Sequence, residues 1–352
     1  MTCCGRARTR SKQPRIRVFM KRLTLNGTAI FILLSTASSQ EPRHYVFYGL
    51  DRERITESAF VETRTLVGAQ LKYRWRELEP RRDEYDFSAI RHDLQLLTRQ
   101  GKRLFIQLQD VSFVEAHPNV PPYLRENPEF HGGVVAGYYH PDNDTSRTLF
   151  GTWLPRRWDP AVRARLIALI RALAAEFDGK IAGMNFAETA IDRGSGDDPW
   201  EGYTPAGYYE AICDLMRAAR QAFRTSDVLI YANFMPGNPA VSGDAKAYLK
   251  GVYRLADSLG VGVGGPDLLP KSWFQRQHSL PLIAARTKGT VAGMAVQDGN
   301  LADRDRQTGK RVTVEELADY ARDPLHLDYL FWGTEEPYWS EEVVPYLRSL
   351  NR

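Results

Sequence analysis

The chain has 352 residues, enough for one large domain or two ordinary ones, and its 43% hydrophobic and 26% charged residues are typical of a globular protein. The formal net charge is +4, but residues 1–39 hold eight Lys and Arg residues and no acid. The rest of the chain therefore keeps 39 of the 47 basic residues against all 43 acids, a net charge of −4. This mildly acidic body excludes the basic surface of a nucleic-acid binder, so no nucleic-acid partner is expected.

The first 39 residues have the pattern of an export leader. Met20-Lys21-Arg22 supplies a positive start, Ala29–Leu34 (AIFILL) a short apolar core, and Ala37–Ser39 the small residues before a cleavage site at Gln40. The sequence predicts a leader at 1–39, started at Met1 or Met20, and a secreted or periplasmic protein with no stable membrane span after cleavage. An uncleaved anchor is the alternative, although the apolar run is short for a span.

Eight short apolar runs alternate with amphipathic helical patterns in residues 40–352, with no linker between them. The predicted strands are His44–Leu50, Leu66–Trp75, Arg103–Asp110, Ile181–Glu188, Val228–Phe234, Val261–Gly264, Val291–Gln297 and Tyr329–Trp332. The predicted helices are Ser88–Gln100, Pro160–Phe177, Pro205–Phe223, Ala245–Leu259, Val314–Ala321 and Glu341–Leu350. This alternation predicts an α/β fold, a single-domain (β/α)8 TIM barrel. An open doubly wound sheet is the alternative, but no Gly-rich turn follows the first strand.

One connection is unusually long. Val111–Asp159 lies between the third predicted strand and its helix, and loops of this length in compact domains are usually functional or disordered. Its aromatic residues argue against disorder, and they include Tyr123, Phe130, Tyr138, Tyr139, Trp153 and Trp158. Because loops after barrel strands lie on the face that carries active sites, we expect this segment to form one wall of a substrate cleft, with its aromatic rings stacking on sugars.

Acidic residues lie at the ends of several predicted strands. They are Asp110, Glu188, Asp267, Asp298, Glu335 and Glu336. Residues 181–188 (IAGMNFAE) and 291–298 (VAGMAVQD) share Ala-Gly-Met in register, and both end in an acid. No strand end carries a His-x-His pair, so neither a metal nor another cofactor is expected. Lys72 is the one mid-strand lysine, which gives Schiff-base chemistry little support, and the body's single cysteine, Cys213, is expected to be buried.

Two carboxylates in one cleft suit glycoside hydrolysis, in which one protonates the leaving oxygen and the other acts as nucleophile or activates water. The predicted catalytic residues are Glu188 and Asp298. The predicted substrate-binding residues are Arg74, Trp75, Gln109, Asp110, Asn185, Asn233, Asp267, Gln297, Trp332 and Glu335. Each has a structural alternative: Asp298 lies in a turn-like Gln-Asp-Gly-Asn, Asp110 could anchor a loop, and Trp75 and Trp332 could pack at the rim.

The stretch Tyr73–Gln109 (YRWRELEPRRDEYDFSAIRHDLQLLTRQGKRLFIQLQ) resembles clan A glycoside hydrolases, notably β-galactosidase-like members, in which a W-x-x-x-E-P…Y-D-F motif follows the second strand. Trp158–Val162 (WDPAV) and Phe331–Trp339 (FWGTEEPYW) are similar to other parts of that clan. The resemblance implies a TIM barrel that hydrolyses O-glycosidic bonds of an oligo- or polysaccharide, with Glu188 as the acid/base of the fourth strand and Asp298 at the position of the seventh-strand nucleophile.

Two departures from the clan pattern shape the prediction. Ala187 stands where the clan has Asn before the acid/base, and Gln297 and Asp298 stand where it has Glu. Because aspartate is one methylene shorter, the sequence predicts a wider gap between the carboxyls and inversion, with Glu188 as general acid and Asp298 as base. We expect Met184, Phe186 and the second carboxylate to raise the pKa of Glu188.

Three alternatives to this assignment stay open. Glu335 could replace Asp298 as the partner of Glu188. The barrel could bind carbohydrate without cleaving it, or it could be a lyase that uses Glu188 as base.

Overall fold

A computed structural model describes residues 40–139, 149–191, 200–236, 247–305 and 307–350, which belong to one compact unit. The predicted leader, with both candidate start residues, lies outside the described residues. No helix within the described ranges is long and apolar enough to cross a membrane.

Ten strands are described, and eight of them run parallel and close into a barrel. The strands are β1 Arg43–Gly49, β2 Leu66–Arg74, β3 Arg103–Gln109, β4 Val134–Tyr139, β5 Leu149–Pro155, β6 Gly183–Phe186, β7 Asp227–Tyr231, β8 Gly262–Gly265, β9 Ala292–Val296 and β10 Tyr329–Trp332. β4 and β5 form a separate antiparallel hairpin, and the other eight close in the order β1-β10-β9-β8-β7-β6-β3-β2. This confirms the predicted (β/α)8 fold class and excludes the open doubly wound sheet.

Helices surround the barrel. They are Ser58–Val61, Trp75–Leu78, Ser88–Arg99, Pro122–Glu126, Pro160–Phe177, Pro205–Ala222, Tyr248–Leu259, Trp273–Gln277, Ser279–Ala284, Val314–Arg322 and Val344–Ser349. Short 3₁₀ turns cover Arg52–Thr56 and Pro128–Phe130, and a π-helical turn covers Trp339–Val343. The predicted starts at 160, 205 and 314 follow from side-chain caps: Asp159 and Thr204 accept bonds from the first helical turn, and Thr313 forms a capping box with Glu316.

Several barrel strands end earlier than predicted. β6 ends at Phe186 and β9 at Val296, so Glu188 and Asp298 each lie two residues beyond the sheet. Trp75 does not end β2 but begins the short helix Trp75–Leu78. The apolar runs continue past the last ladder residue because the first loop residues are also buried. The acids therefore lie on loops that the strands position.

Two apolar cores hold the barrel together. The larger lies between the sheet and the helices, and the smaller fills the lower interior with Tyr45, Phe105, Leu229, Tyr329 and Phe331. A Cβ at Gly68 would lie 2.3 Å from the Tyr45 ring, so only glycine fits beside these aromatic rings. Because the lower interior is filled, a cavity can open only toward the carboxyl ends of the strands.

A polar layer covers the inner core. The buried Gln70 amide donates hydrogen bonds of 3.0 Å to both Asn185 Oδ1 and the Tyr231 hydroxyl. These three side chains come from β2, β6 and β7, whose inward positions lie at one level. This layer forms the floor on which the candidate site is built.

The predicted long loop carries secondary structure of its own. The β4–β5 hairpin lies within it, and residues 140–148 and the side chain of Tyr139 lie outside the description. Trp158, at its end, stacks on Trp200 with ring centroids 5.6 Å apart. Elsewhere in the barrel, Cys213 is buried in its helix and is free, as predicted.

Candidate active site

A cavity of about 400 Å³ opens at the carboxyl ends of the barrel strands. Five of the residues singled out in the sequence line it: Gln109, Glu188, Asp267, Gln297 and Asp298. The other lining residues are Phe47, Tyr48, Gly49, Asp51, Lys72, Gln107, Phe113, Ala187, Tyr231, Pro266 and Thr334. Carboxylates, amides and an ammonium group therefore converge on one concave surface.

Neighbouring strands and loops fix the position of Glu188. The Asn233 amide donates a short hydrogen bond to its carboxylate. The Arg157 guanidinium donates to its backbone carbonyl at 3.5 Å, and the next amide, that of Thr189, donates to Tyr231 O at 3.0 Å. Hydrogen bonds to both its backbone and its carboxylate hold Glu188 in one position, as proton transfer requires.

Burial raises the pKa of the Glu188 carboxyl, and the nearby Asp267 carboxylate raises it further. The Asn233 hydrogen bond and the Lys72 ammonium act in the opposite direction. The raised pKa agrees with the sequence expectation, but the carboxylate that contributes to it is Asp267. A carboxyl group whose pKa is raised keeps its proton to higher pH, which suits a general acid.

Asp267 follows β8 and is partly buried, and burial raises the pKa of its carboxyl. Asn300 Nδ2 donates to its Oδ1 at 3.1 Å. Gln297 Nε2 donates to the Pro266 carbonyl at 2.9 Å, so the loops after β8 and β9 are bound together beside this carboxylate.

Asp298 lies on the exposed rim of the same cavity. It is the second residue of a turn that the Asn300 amide closes by donating to Gln297 O at 3.0 Å, with Gly299 at φ +86°. The turn-like reading of Gln-Asp-Gly-Asn is therefore seen in the structure. No described residue donates a hydrogen bond to the Asp298 carboxylate.

Eleven of the sixteen lining residues were not among the predicted site residues, and three of these, Lys72, Gln107 and Tyr231, bear on the chemistry of the cavity. Lys72 projects inward from β2 with its amine 5.0 Å from the Phe47 ring, and burial lowers its pKa while Glu188 and Asp298 raise it. The Gln107 side chain is buried, and its Oε1 has no hydrogen-bond partner among the described residues. Tyr231 reads as a core aromatic in its apolar run. Lys72 left the clearest signal, because it lies two residues after Gln70 on the same face of one strand.

The two predicted tryptophan platforms are not in the cavity. Trp75 and Trp332 are fully buried. The Trp75 indole donates to Glu79 at 2.9 Å, and the Trp332 indole to His44 Nδ1 at 3.0 Å. A ring with no exposed face cannot stack on a sugar, so the structure corrects this expectation in favour of packing.

Asp110 is an internal partner and does not line the cavity. It forms a bidentate pair with Arg157 at 2.7 and 2.8 Å, and both side chains are buried. Arg157 in turn bonds the Glu188 carbonyl and the Tyr208 hydroxyl. Asp110 thus positions the loop that carries Glu188, which agrees with the alternative that it anchors a loop.

The remaining predicted residues, and the strand-end acid Glu336, do not line the cavity. Asn185 lies in the buried floor, Asn233 bonds Glu188, and Arg74 pairs with Glu77 at 2.7 Å. Glu335 accepts a hydrogen bond from the Gly299 amide at 2.7 Å, and Glu336 accepts one from Ser340 Oγ at 2.6 Å. Glu335 therefore binds the Asp298 turn to the loop after β10. The described ranges hold no group of three or more His, Cys, Asp or Glu side chains that could bind a metal ion.

No protein-family description and no curated protein sequence matches the chain. Among solved structures, the catalytic domain of a β-amylase from Paenibacillus polymyxa is 9% identical, with a TM-score of 0.55 over 83% of this chain and 92% of that one. A GH10 endoxylanase from a sugarcane soil metagenome is 13% identical, with a TM-score of 0.48 over 86% and 89% of the two chains. Xylanase 10B from Thermotoga petrophila is 12% identical, with a TM-score of 0.48 over 83% and 82%. At 9% identity the likeness to the β-amylase catalytic domain establishes the fold, a (β/α)8 barrel, and no more.

Proposed function

We propose that the protein is a glycoside hydrolase that cleaves O-glycosidic bonds of an oligo- or polysaccharide and is exported through the leader at 1–39. The observation that carries the proposal is the position of Glu188, whose pKa is raised by burial, in one cavity with Asp267 and Asp298. The barrel that the chain shares with a β-amylase catalytic domain supports a sugar substrate at the level of fold.

In the proposed reaction, Glu188 donates its proton to the glycosidic oxygen as the bond to the anomeric carbon breaks. A second carboxylate takes up the charge at the anomeric carbon, either by activating a water molecule or by direct attack. Asp298 is the candidate from the sequence, and Asp267 lies in the same cavity.

The rest of the cavity supplies groups that suit a sugar. The side chains of Gln107 and Gln109 line the cavity, and Gln107 Oε1 accepts no hydrogen bond from a described residue. Phe113 is 58% exposed and offers an apolar ring at the edge. Sugar hydroxyls pair with such amides, and sugar faces stack on such rings.

The test is hydrolysis of a panel of aryl glycosides and of plant and bacterial glycans. We expect turnover of at least one substrate, and we expect Glu188→Gln to lower kcat by about 10²–10⁴-fold with the fold intact, since it removes the proton donor. Glu336→Gln is the matched control, because this exposed glutamate also follows a barrel strand but does not line the cavity.

Two results would reject hydrolysis. Glycan binding without turnover would indicate a catalytically inactive carbohydrate-binding barrel. Unsaturated products that absorb in the near ultraviolet would indicate a lyase in which Glu188 acts as base.

A further inference from the structure

We propose that Asp267, and not Asp298, is the carboxylate that acts as base opposite Glu188; this assignment rests on the proposed glycosidase function. The barrel order gives the first reason. Asp267 follows β8, two strands from β6, whereas Asp298 follows β9, three strands away. With strands ~4.8 Å apart in a closed barrel, the backbones after β6 and β8 lie roughly 10 Å apart, and the backbone after β9 lies farther from β6, toward the opposite side of the barrel.

The spacing of the first pair suits two carboxyls that share a substrate. Acid and base carboxyls of inverting enzymes lie ~6.5–9.5 Å apart, and side chains that turn toward the barrel axis shorten a backbone separation of roughly 10 Å. The electrostatics agree, because the Asp267 charge contributes to the raised pKa of Glu188.

The second reason is that Asp267 is held in place. Asn300 donates to its carboxylate at 3.1 Å, and the amide of the next residue, Leu268, donates to Ala295 O at 2.9 Å. The Asp298 side chain, by contrast, is exposed on a turn and accepts no hydrogen bond from a described residue. A reacting group is expected to be preorganised, and only Asp267 meets that condition.

The third reason is the buried tyrosine beside it. The Tyr231 hydroxyl accepts a hydrogen bond from Gln70, which leaves its own hydrogen for an acceptor in the cavity. Both residues line the cavity, burial raises the pKa of Tyr231, and the Asp267 carboxylate raises it further. Tyr231 therefore stays a proton donor and can orient the base or the water that it activates.

In the step assigned to this pair, a water molecule attacks the anomeric carbon while the bond to the leaving oxygen breaks. The water proton passes to the Asp267 carboxylate, and the Glu188 proton passes to the leaving oxygen. The products are the hemiacetal and the free alcohol, and the step balances because protonated Glu188 gives up one proton while ionised Asp267 gains one. Because burial raises the pKa of Asp267, its carboxylate is a better base than an exposed aspartate.

The experiment compares Asp267→Asn and Asp298→Asn in the full chain, on the substrate that the wild type hydrolyses best. We expect Asp267→Asn to lower kcat by about 10²–10⁴-fold, as Glu188→Gln does, and Asp298→Asn to lower it by less than about tenfold. The converse result, activity lost in Asp298→Asn and kept in Asp267→Asn, overturns the assignment and leaves the proposed function standing. A wild type that hydrolyses nothing rejects the proposed function itself.

A titration gives a readout that does not require turnover. Asp267→Asn removes a negative charge that raises the pKa of Glu188, so the Glu188 carboxyl should titrate at lower pH, as followed by carboxyl ¹³C NMR with Glu188→Gln identifying the signal. Asp298→Asn should leave that titration in place. An unmoved Glu188 signal in Asp267→Asn would contradict the pairing.

A second variant covers the case in which Asp267→Asn does not fold. Asp267→Glu keeps the charge but displaces it by one methylene, and we expect kcat to fall by at least about tenfold with KM nearly unchanged. Wild-type kcat in this variant would overturn the assignment.

Discussion

At the scale of single residues, Lys72 is the one cationic side chain among the residues that line the cavity. Its ammonium lies above Phe47 and lowers the pKa of Glu188, while burial lowers its own pKa. It therefore opposes the burial and the Asp267 charge that raise the pKa of Glu188. The pKa of Glu188 is raised because burial and the Asp267 charge outweigh the opposing effects of Lys72 and the Asn233 hydrogen bond.

We predict that Lys72→Met shifts the alkaline limb of the kcat/KM profile to higher pH. A general acid works in its protonated form, and without the ammonium the Glu188 carboxyl keeps its proton to higher pH. The profile of the best substrate measures the shift. Lys102→Met is the control, since Lys102 is buried outside the cavity, where it donates to the carbonyls of Thr63 and Leu66. An alkaline limb that moves to lower pH would refute the prediction.

The sequence pattern predicts which acids lie at strand ends, but it does not predict the direction in which every side chain points. Gln109, Asp267 and Gln297 reach the cavity as the strand assignment implies. Trp332 does not, because one residue along a strand changes the face of the sheet. Trp75 does not because β2 ends one residue before it and Trp75 begins a short helix, and such an end cannot be read from an apolar run. The roles assigned to the cavity residues stay predictions.

At the scale of elements, the segment after β3 forms part of the cavity wall. Ser112 pairs with Trp153 of β5 through two backbone hydrogen bonds of 3.0 and 2.7 Å. The Trp153 indole donates to Glu115 O at 2.6 Å. The hairpin thereby holds residues 112–115, and with them the exposed Phe113, beside the cavity.

We predict that Phe113→Ala raises KM by about 3–10-fold and leaves the midpoint of thermal unfolding almost unchanged, because a ring that is 58% exposed contributes little to the core. Phe130→Ala is the matched control in the same segment. Its ring is fully buried, so its loss should lower the free energy of unfolding by about 3–5 kcal/mol without raising KM in the folded protein. Equal losses of stability would make Phe113 a packing residue. Trp153, expected to stack on sugars, is not among the residues that line the cavity, and the side chain of Tyr139 lies outside the description.

The sequence predicts best the strands that are buried on both faces and the long helices that begin with a clear cap residue. Barrel strands are covered on both faces and appear as apolar runs, and the long helices begin at Asp159 and Thr204 caps. The sequence predicts a long loop where the β4–β5 hairpin lies, although VVAGYY and LFGTWLP are short strand-like runs. Glycines and flanking prolines interrupt both, and their pairing depends on the rest of the fold.

At the scale of the whole molecule, the first and last strands close the barrel. The Arg43 amide donates to Asp328 O at 2.9 Å, and β1 pairs with β10 from Arg43 onward. Just before β1, Glu41 accepts a hydrogen bond from Arg322 at 3.1 Å. The buried His44 accepts one from the Trp332 indole. The contacts that close the barrel thus begin at Glu41, the second residue of a chain that is cleaved before Gln40.

We predict that exported protein begins near Gln40 and is as stable as a recombinant chain that starts there, since that cut keeps every strand residue. A chain that starts at Tyr45 is the matched control. It lacks His44 and so leaves the fully buried Trp332 indole N–H without its partner, which should cost about 1–3 kcal/mol beyond the lost ladder bonds and lower the unfolding temperature by several degrees. Mass spectrometry of exported material and thermal unfolding of both chains are the measurements. An intact Met1 or Met20 on membrane-bound protein would show that the segment is retained as an anchor, and equal stability of the two chains would show that Glu41–His44 do not help to close the barrel.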